Sequence, residues 1–199
     1  MLDSVQWSCY SDFYRKSEYA RFPQEHRRSV GQLGFSMIRV EQAEHEFADP
    51  AVPETAIALP LSVSQGCRYC WNMGGEWRHE MAEPGRVLVL VLPADRASRW
   101  WVTGDRELLL LVVLSKTVRQ VCGAFRSGGV FDSVSTLSAG TWQDRFVQAS
   151  IICLWDSLNG RCRTLGILCD GALSGGSSLL LSASANPVQA RSIASSPGD

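Results

Sequence analysis

Three apolar or aromatic runs dominate the middle of the chain: Val87–Leu92, Trp100–Val102 and Leu108–Leu114. Pro84-Gly85 precedes the first, Pro93-Ala94-Asp95 the second and Thr103-Gly104-Asp105 the third. Short runs rich in Val and Leu with such boundaries predict β-strands buried on at least one face. Leu108–Leu114 is apolar at every position, so periodicity alone leaves a buried helix open; its length and the turn ahead of it favour a strand. Upstream, Phe35–Phe47 alternates in part, as a half-exposed strand does, and Ala56–Val63 resumes after the breakers Asp49-Pro50 and Pro53. Cys67–Trp71 and Glu76–Met81 flank Asn72-Met73-Gly74-Gly75, a hairpin signal.

Beyond Leu114 the period changes from two to that of a helix. Ser115 is placed as the N-cap of a short helix, Lys116–Phe125, which Ser127-Gly128-Gly129 ends. Trp142, Phe146, Ala149, Ile152 or Cys153, and Leu158 recur at helical spacing and predict an amphipathic helix over Thr141–Leu158. Gly166–Leu181 carries a second apolar series, but Gly171, Gly175 and Gly176 interrupt it, each weakening a helix by roughly 0.5–1 kcal/mol relative to alanine. Residues 182–199, rich in Ser and Ala with Pro187 and Pro197, have the composition of a flexible tail. At the other end Trp7, Tyr10, Phe13 and Tyr14 fit one helical face, and both a packed helix and a loose lead-in stay open for residues 1–30. The resulting division is a lead-in over 1–30, a β unit over 31–115, a helical segment over 116–181 and a tail over 182–199. Strands first and helices last make the class α+β, with a sandwich, barrel or jelly roll as its β part.

Composition narrows the functional classes. A length of 199 residues suits one well-buried core, and 45% hydrophobic against 20% charged residues excludes a disordered chain. A formal net charge of -1 offers no broad footprint for nucleic acid. The N-terminus lacks the basic, apolar and small-residue order of a secretory signal, and no apolar stretch approaches the ~20 residues of a membrane span. Seven cysteines, an odd number, are read as reduced thiols. The expectation is a cytoplasmic protein without a membrane partner.

Candidate chemistry is sparse. Cys67-Arg68-Tyr69-Cys70 is a CxxC, but it has no second pair and falls on a predicted strand, which sends the two thiols to opposite faces. His26, His45 and His79 lack the spacing of a metal site, so no metal is expected. No nucleophile elbow, phosphate loop or dinucleotide fingerprint occurs, and Glu44/Glu46 and Glu80/Glu83 suit solvated strand edges better than acid–base pairs. No catalytic residue and no cofactor is therefore expected. The aromatic set says more: Trp71, Trp77 and Trp100, with Arg78, are the candidates for lining a small-molecule pocket, the alternative being ordinary core or surface packing. Since Trp100 and Trp101 are adjacent on a strand, at most one of them faces inward.

With this order of elements, residues 75–181 resemble the effector-binding and dimerisation domain of AraC-type transcriptional regulators. The resemblance rests on Gly75–Met81 with Glu83-Pro84-Gly85-Arg86-Val87, on Leu92-Pro93-Ala94 with Trp100-Trp101, on Gln143-Asp144 through Leu158, and on Leu168–Leu173. It implies a cupin-like β-barrel or jelly roll followed by α-helices, a small organic effector in the barrel, and a homodimer. The dimer would form through the closing helices, for which Trp142, Phe146, Ile152 and Trp155 are the candidates; docking on the chain's own barrel is the alternative. Members of that family continue into paired helix-turn-helix motifs, whereas this sequence stops at Asp199, so no specific DNA binding is expected of this chain alone. Asp95 and Ser98 replace the family's turn glycine and histidine, and Ser174-Gly175-Gly176-Ser177-Ser178 replaces an alanine-rich stretch. A stand-alone cupin enzyme and a decayed regulator fragment without activity are the competing expectations.

Overall fold

The strands of the computed structural model pair as one long hairpin rolled on itself. The structure describes residues 7–30, 34–86, 88–123, 137–138 and 140–161. Its strands are β1 (Gln24–Arg28), β2 (Phe35–Gln42), β3 (His45–Asp49), β4 (Glu54–Val63), β5 (Arg68–Asn72), β6 (Arg78–Met81), β7 (Leu90–Leu92), β8 (Ser98–Thr103) and β9 (Arg106–Leu114). Antiparallel pairs β5·β6, β4·β7, β3·β8 and β2·β9 nest one inside the next, with the Asn72–Gly75 turn at the tip. Rolling adds the pairs β4·β9 and β5·β8. Two sheets result, ordered β1-β2-β9-β4-β7 and β3-β8-β5-β6. Apart from the extra β1, this is the eight-stranded double-sheet jelly roll.

The position of β9 explains why its sequence lacks alternation. It lies mid-sheet between β2 and β4 and is covered on both faces. Leu108, Leu110 and Val112 point between the sheets into the main core, whereas Leu109, Leu111 and Val113 point outward under a helix. That helix, α3 (Arg145–Asp156), is the predicted amphipathic element with a later start. Trp142 exchanges both backbone hydrogen bonds with Val89, at 2.8 and 3.1 Å, and this holds its segment extended. Asp144 then caps the helix, its carboxylate accepting from the N–H groups of Phe146 (2.8 Å) and Val147 (3.0 Å). Val147, Ile151, Leu154 and Trp155 are buried against Phe35, Met37, Leu59 and Leu111. Arg27 on β1 fastens the far end: its guanidinium lies 3.6 Å from the Trp155 ring centroid and donates to the Trp155 carbonyl at 2.7 Å.

Other boundaries move for local reasons. The expected strand Phe35–Phe47 divides at Ala43-Glu44, where the chain leaves one sheet for the other. The short helix α2 runs Ser115–Gly123, and Ser115 belongs to it, its hydroxyl donating to the Pro53 carbonyl at 3.1 Å. Residues 10–28 pack into the β unit. Helix α1 (Tyr10–Lys16) and a 3-10 turn (Glu18–Arg21) bury Tyr10, Phe13, Tyr14 and Tyr19 in the main core. The side-chain amide of Gln24 donates to the carbonyls of Tyr14 and Tyr19 at 3.2 and 3.1 Å and fixes that segment over the sheets. The predicted helix over Gly166–Leu181 and the tail lie outside the described residues. Among the described residues no helix is long and apolar enough to cross a membrane.

Candidate functional site

Strand parity selects the residues that meet inside the roll. On β9 Arg106 has the parity of Leu108 and Leu110, and on β3 Asp49 has that of His45 and Phe47, so a cation and an anion enter the same apolar interior. Both are deeply buried, with relative exposures of 8% and 7%. They line one cavity of about 30 Å³ together with Tyr14, Tyr19, Tyr69 and Trp100. That is space for about two water molecules.

The two charges do not pair with each other: no Asp49–Arg106 contact falls within the 4.0 Å of a salt bridge. Arg106 Nε donates instead to Gln42 Oε1 at 2.8 Å, and its guanidinium sits 5.6 Å from the Tyr69 ring centroid and 5.8 Å from that of Trp100. One carboxylate oxygen of Asp49, Oδ1, has no hydrogen-bond partner among the described residues. The Trp100 indole N–H turns toward Ser98 Oγ, at 2.9 Å. Burial raises the Asp49 pKa from 3.8 to about 7, against the opposing pull of the Tyr19 hydroxyl, the Arg106 charge and the Trp100 indole. Desolvation likewise pushes the phenols of Tyr14, Tyr19 and Tyr69 upward, so each stays a neutral O–H group. The interior thus offers hydroxyl donors and acceptors, one cation, one carboxylate poised between its two forms, and indole and phenol faces.

Of the sequence candidates for ligand contact, Trp100 lines this cavity. Trp71 stacks against it at 6.2 Å between centroids, belongs to the main core, and has a buried indole N–H without a partner among the described residues. Trp77 is 53% exposed, Arg78 is exposed on β6, and neither lines the cavity. Trp101, as alternation demands, lies outside at 50% exposure. Of the four helix candidates, Trp155 is buried against the chain's own sheet, Ile152 and Trp142 pack partly against the same cluster, and Phe146 is 52% exposed.

Sequence reasoning passed over Asp49, Arg106, Tyr14, Tyr19 and Tyr69. Asp49 stands in the sequence beside Pro50 as a strand breaker, and Arg106 falls between the turn Thr103-Gly104-Asp105 and the apolar run Leu108–Leu114. The available signal was a charge in phase with an inward-facing apolar series on each of two strands. Cys67 is buried in the main core while Cys70 lies across from exposed Trp101 on the outer face, so the CxxC thiols diverge. Desolvation raises the Cys67 thiol and keeps it protonated. His45 donates through Nδ1–H to the Ala43 carbonyl (2.7 Å) and packs its ring on Tyr19, Phe22 and Phe47. Burial lowers its pKa to about 4. No cluster of three or more metal-ligating side chains occurs among the described residues.

The strand order defines the class: a cupin-like jelly roll, the double-sheet architecture that cupins share with capsid and lectin domains. Comparison with known proteins finds no matching family model and no matching curated protein. Among solved structures the chain is similar to the cupin domain of Schizosaccharomyces pombe Cnp3, at 13% identity and a TM-score of 0.36, over 51% of this chain and 74% of that one. It is also similar to a putative ethanolamine utilization protein Q of Salmonella typhimurium LT2, at 10% identity and a TM-score of 0.34, over 46% and 70% of the respective chains. An HTH_3 family transcriptional regulator of Vibrio cholerae matches at 7% identity and a TM-score of 0.34, over 45% and 50%. Likeness at this level carries no argument about activity, and the fold assignment rests on the strand order.

Proposed function

We propose that this chain is a small-molecule-sensing module that takes its ligand inside the jelly roll, in the manner of the effector-binding and dimerisation domains of AraC-type regulators. The observation that carries the ligand-binding half is the cavity: two buried, unpaired charges of opposite sign share one aromatic-walled space. A buried charge without a partner is costly to keep, and an interior built only for stability would hold neither. Polar groups retained in an apolar cavity at such a cost are the usual make-up of a site that orients a small molecule. The sequence resemblance described above supports the regulator half, as does the order of a jelly roll followed by helices.

The proposed dimer uses the outward face of α3. With Trp155, Ile151 and Leu154 turned onto the sheet, the outward stripe is Phe146, Ala149 and Cys153, all exposed. Light scattering coupled to size exclusion on residues 1–199 tests this. A dimer that Phe146→Glu converts to a folded monomer is the expected result; a wild-type monomer at micromolar concentration refutes the dimer. Screening a small-molecule set by thermal shift tests the sensing half, with Asp49→Asn as the control that removes the cavity charge.

A further inference from the structure

The chemistry of the cavity narrows the ligand further than the fold does. Resting on the reading just given, we infer that its occupant is a small zwitterion, with a carboxylate held by Arg106 and an ammonium held by Asp49.

Three observations converge on that charge pattern. First, the guanidinium and the carboxylate line the same cavity yet form no ion pair within 4.0 Å, so each lacks a counter-charge at contact distance. Arg106 donates through Nε to Gln42, which leaves the N–H groups of its two Nη atoms for another acceptor. Second, Asp49 Oδ1 is a buried acceptor without a hydrogen-bond partner among the described residues. Third, the same cavity is lined by Tyr14, Tyr19, Tyr69 and Trp100, whose ring faces attract a cation, and the three tyrosine hydroxyls can donate or accept. A ligand with only a negative group satisfies Arg106 and leaves the carboxylate repelled. A ligand with only a positive group does the reverse. A molecule carrying both, separated by a short aliphatic spacer, offers a donor to Asp49 Oδ1 and an acceptor to the Arg106 guanidinium at once.

Size sets the second limit. A cavity of about 30 Å³, space for about two water molecules, limits the occupant to a molecule of amino-acid size at most, and its entry requires the lining tyrosines to give way. A sugar or a fused-ring effector does not fit without displacing the aromatic segment as a whole.

Isothermal titration of the full chain tests the inference with glycine, β-alanine and γ-aminobutyrate, which step the charge separation, against propionate, propylamine and phenol. At least one zwitterion is expected to bind about ten-fold tighter than both propionate and propylamine. Asp49→Asn, a near-isosteric change, should bring that zwitterion down to the level of propionate, and Arg106→Gln should bring it down to propylamine. Where Arg106→Gln fails to fold, the wild-type comparison of charge types and the Asp49→Asn arm decide the matter. Propionate binding as tightly as every zwitterion, or a preference unchanged by Asp49→Asn, overturns the inference. Phenol binding alone overturns it while leaving the sensing module intact. No binding by any of the six at about 10 mM, a concentration at which affinities weaker than millimolar register, overturns the inference, and the thermal-shift screen then decides the sensing reading by itself.

Discussion

Asp49→Asn is the sharpest single perturbation of this molecule, because it removes a charge and almost no volume. The carboxylate has a pKa of about 7 in the folded chain and 3.8 when solvated. Between those two values the native state holds a proton that the unfolded state has released. The unfolded state therefore binds fewer protons there, and the contribution of Asp49 to stability falls as pH rises across the window. Below 3.8 the contribution is level, and above 7 it is fully unfavourable. A difference of about three pKa units corresponds to about 4 kcal/mol at roughly 1.4 kcal/mol per unit. Local rearrangement around the charge relaxes part of that, so the variant should be about 2–4 kcal/mol more stable than the wild type at pH 8.5 and nearly equal to it at pH 3.5. For a domain of this size that is a rise in Tm of about 6–15 °C at the higher pH. The wild-type profile alone does not isolate the effect. His26 and His45, both lowered to about 4 by burial, have the opposite slope between pH 4 and 6.5. The quantity to measure is thus the difference between variant and wild type, from urea unfolding across pH 3.5–8.5. A difference that is constant with pH, or a variant less stable at pH 8.5, refutes the account of Asp49 as a buried, uncompensated carboxylate.

Trp155→Ala should cost about 3–5 kcal/mol in urea unfolding, because it removes a buried ring between α3 and the sheet and strands the Arg27 guanidinium stacked on it. Gly104 has φ +80, and a Cβ there would meet Ser64 Oγ at 2.7 Å, so Gly104→Ala should lower stability by about 1–2 kcal/mol, read as a fall in urea midpoint at unchanged slope. His45 is held neutral among aromatic rings, and its folded pKa lies below its unfolded one. Its contribution is intact above about 6.5 and is lost as pH falls toward 4; His45→Phe should flatten the wild-type loss over that range, and an unchanged acid limb in thermal melts contradicts this. Asp144→Ala should weaken the start of α3 by about 1 kcal/mol, with faster amide exchange at Phe146 and Val147 as its local signature.

Much of the β architecture was legible in the order of residues. Val, Leu and aromatic runs cut by Pro, Gly and Asp located the strands, because a pleated backbone buries side chains with period two and turns need particular φ values. The Trp142–Leu158 periodicity located α3, and the adjacency of Trp100 and Trp101 required one ring in and one out. Tertiary structure alone decided which sheet each strand joins, since hydrogen-bond partners far apart in sequence leave no local trace. That β9 is mid-sheet and doubly covered follows from the rolling of the hairpin, and this accounts for a run whose period said nothing. The closing of the roll also brought Asp49 and Arg106, 57 positions apart in sequence, into one cavity. Neither stood out alone, because a charge becomes a site only when the fold has removed its water and decided what, if anything, stands opposite it.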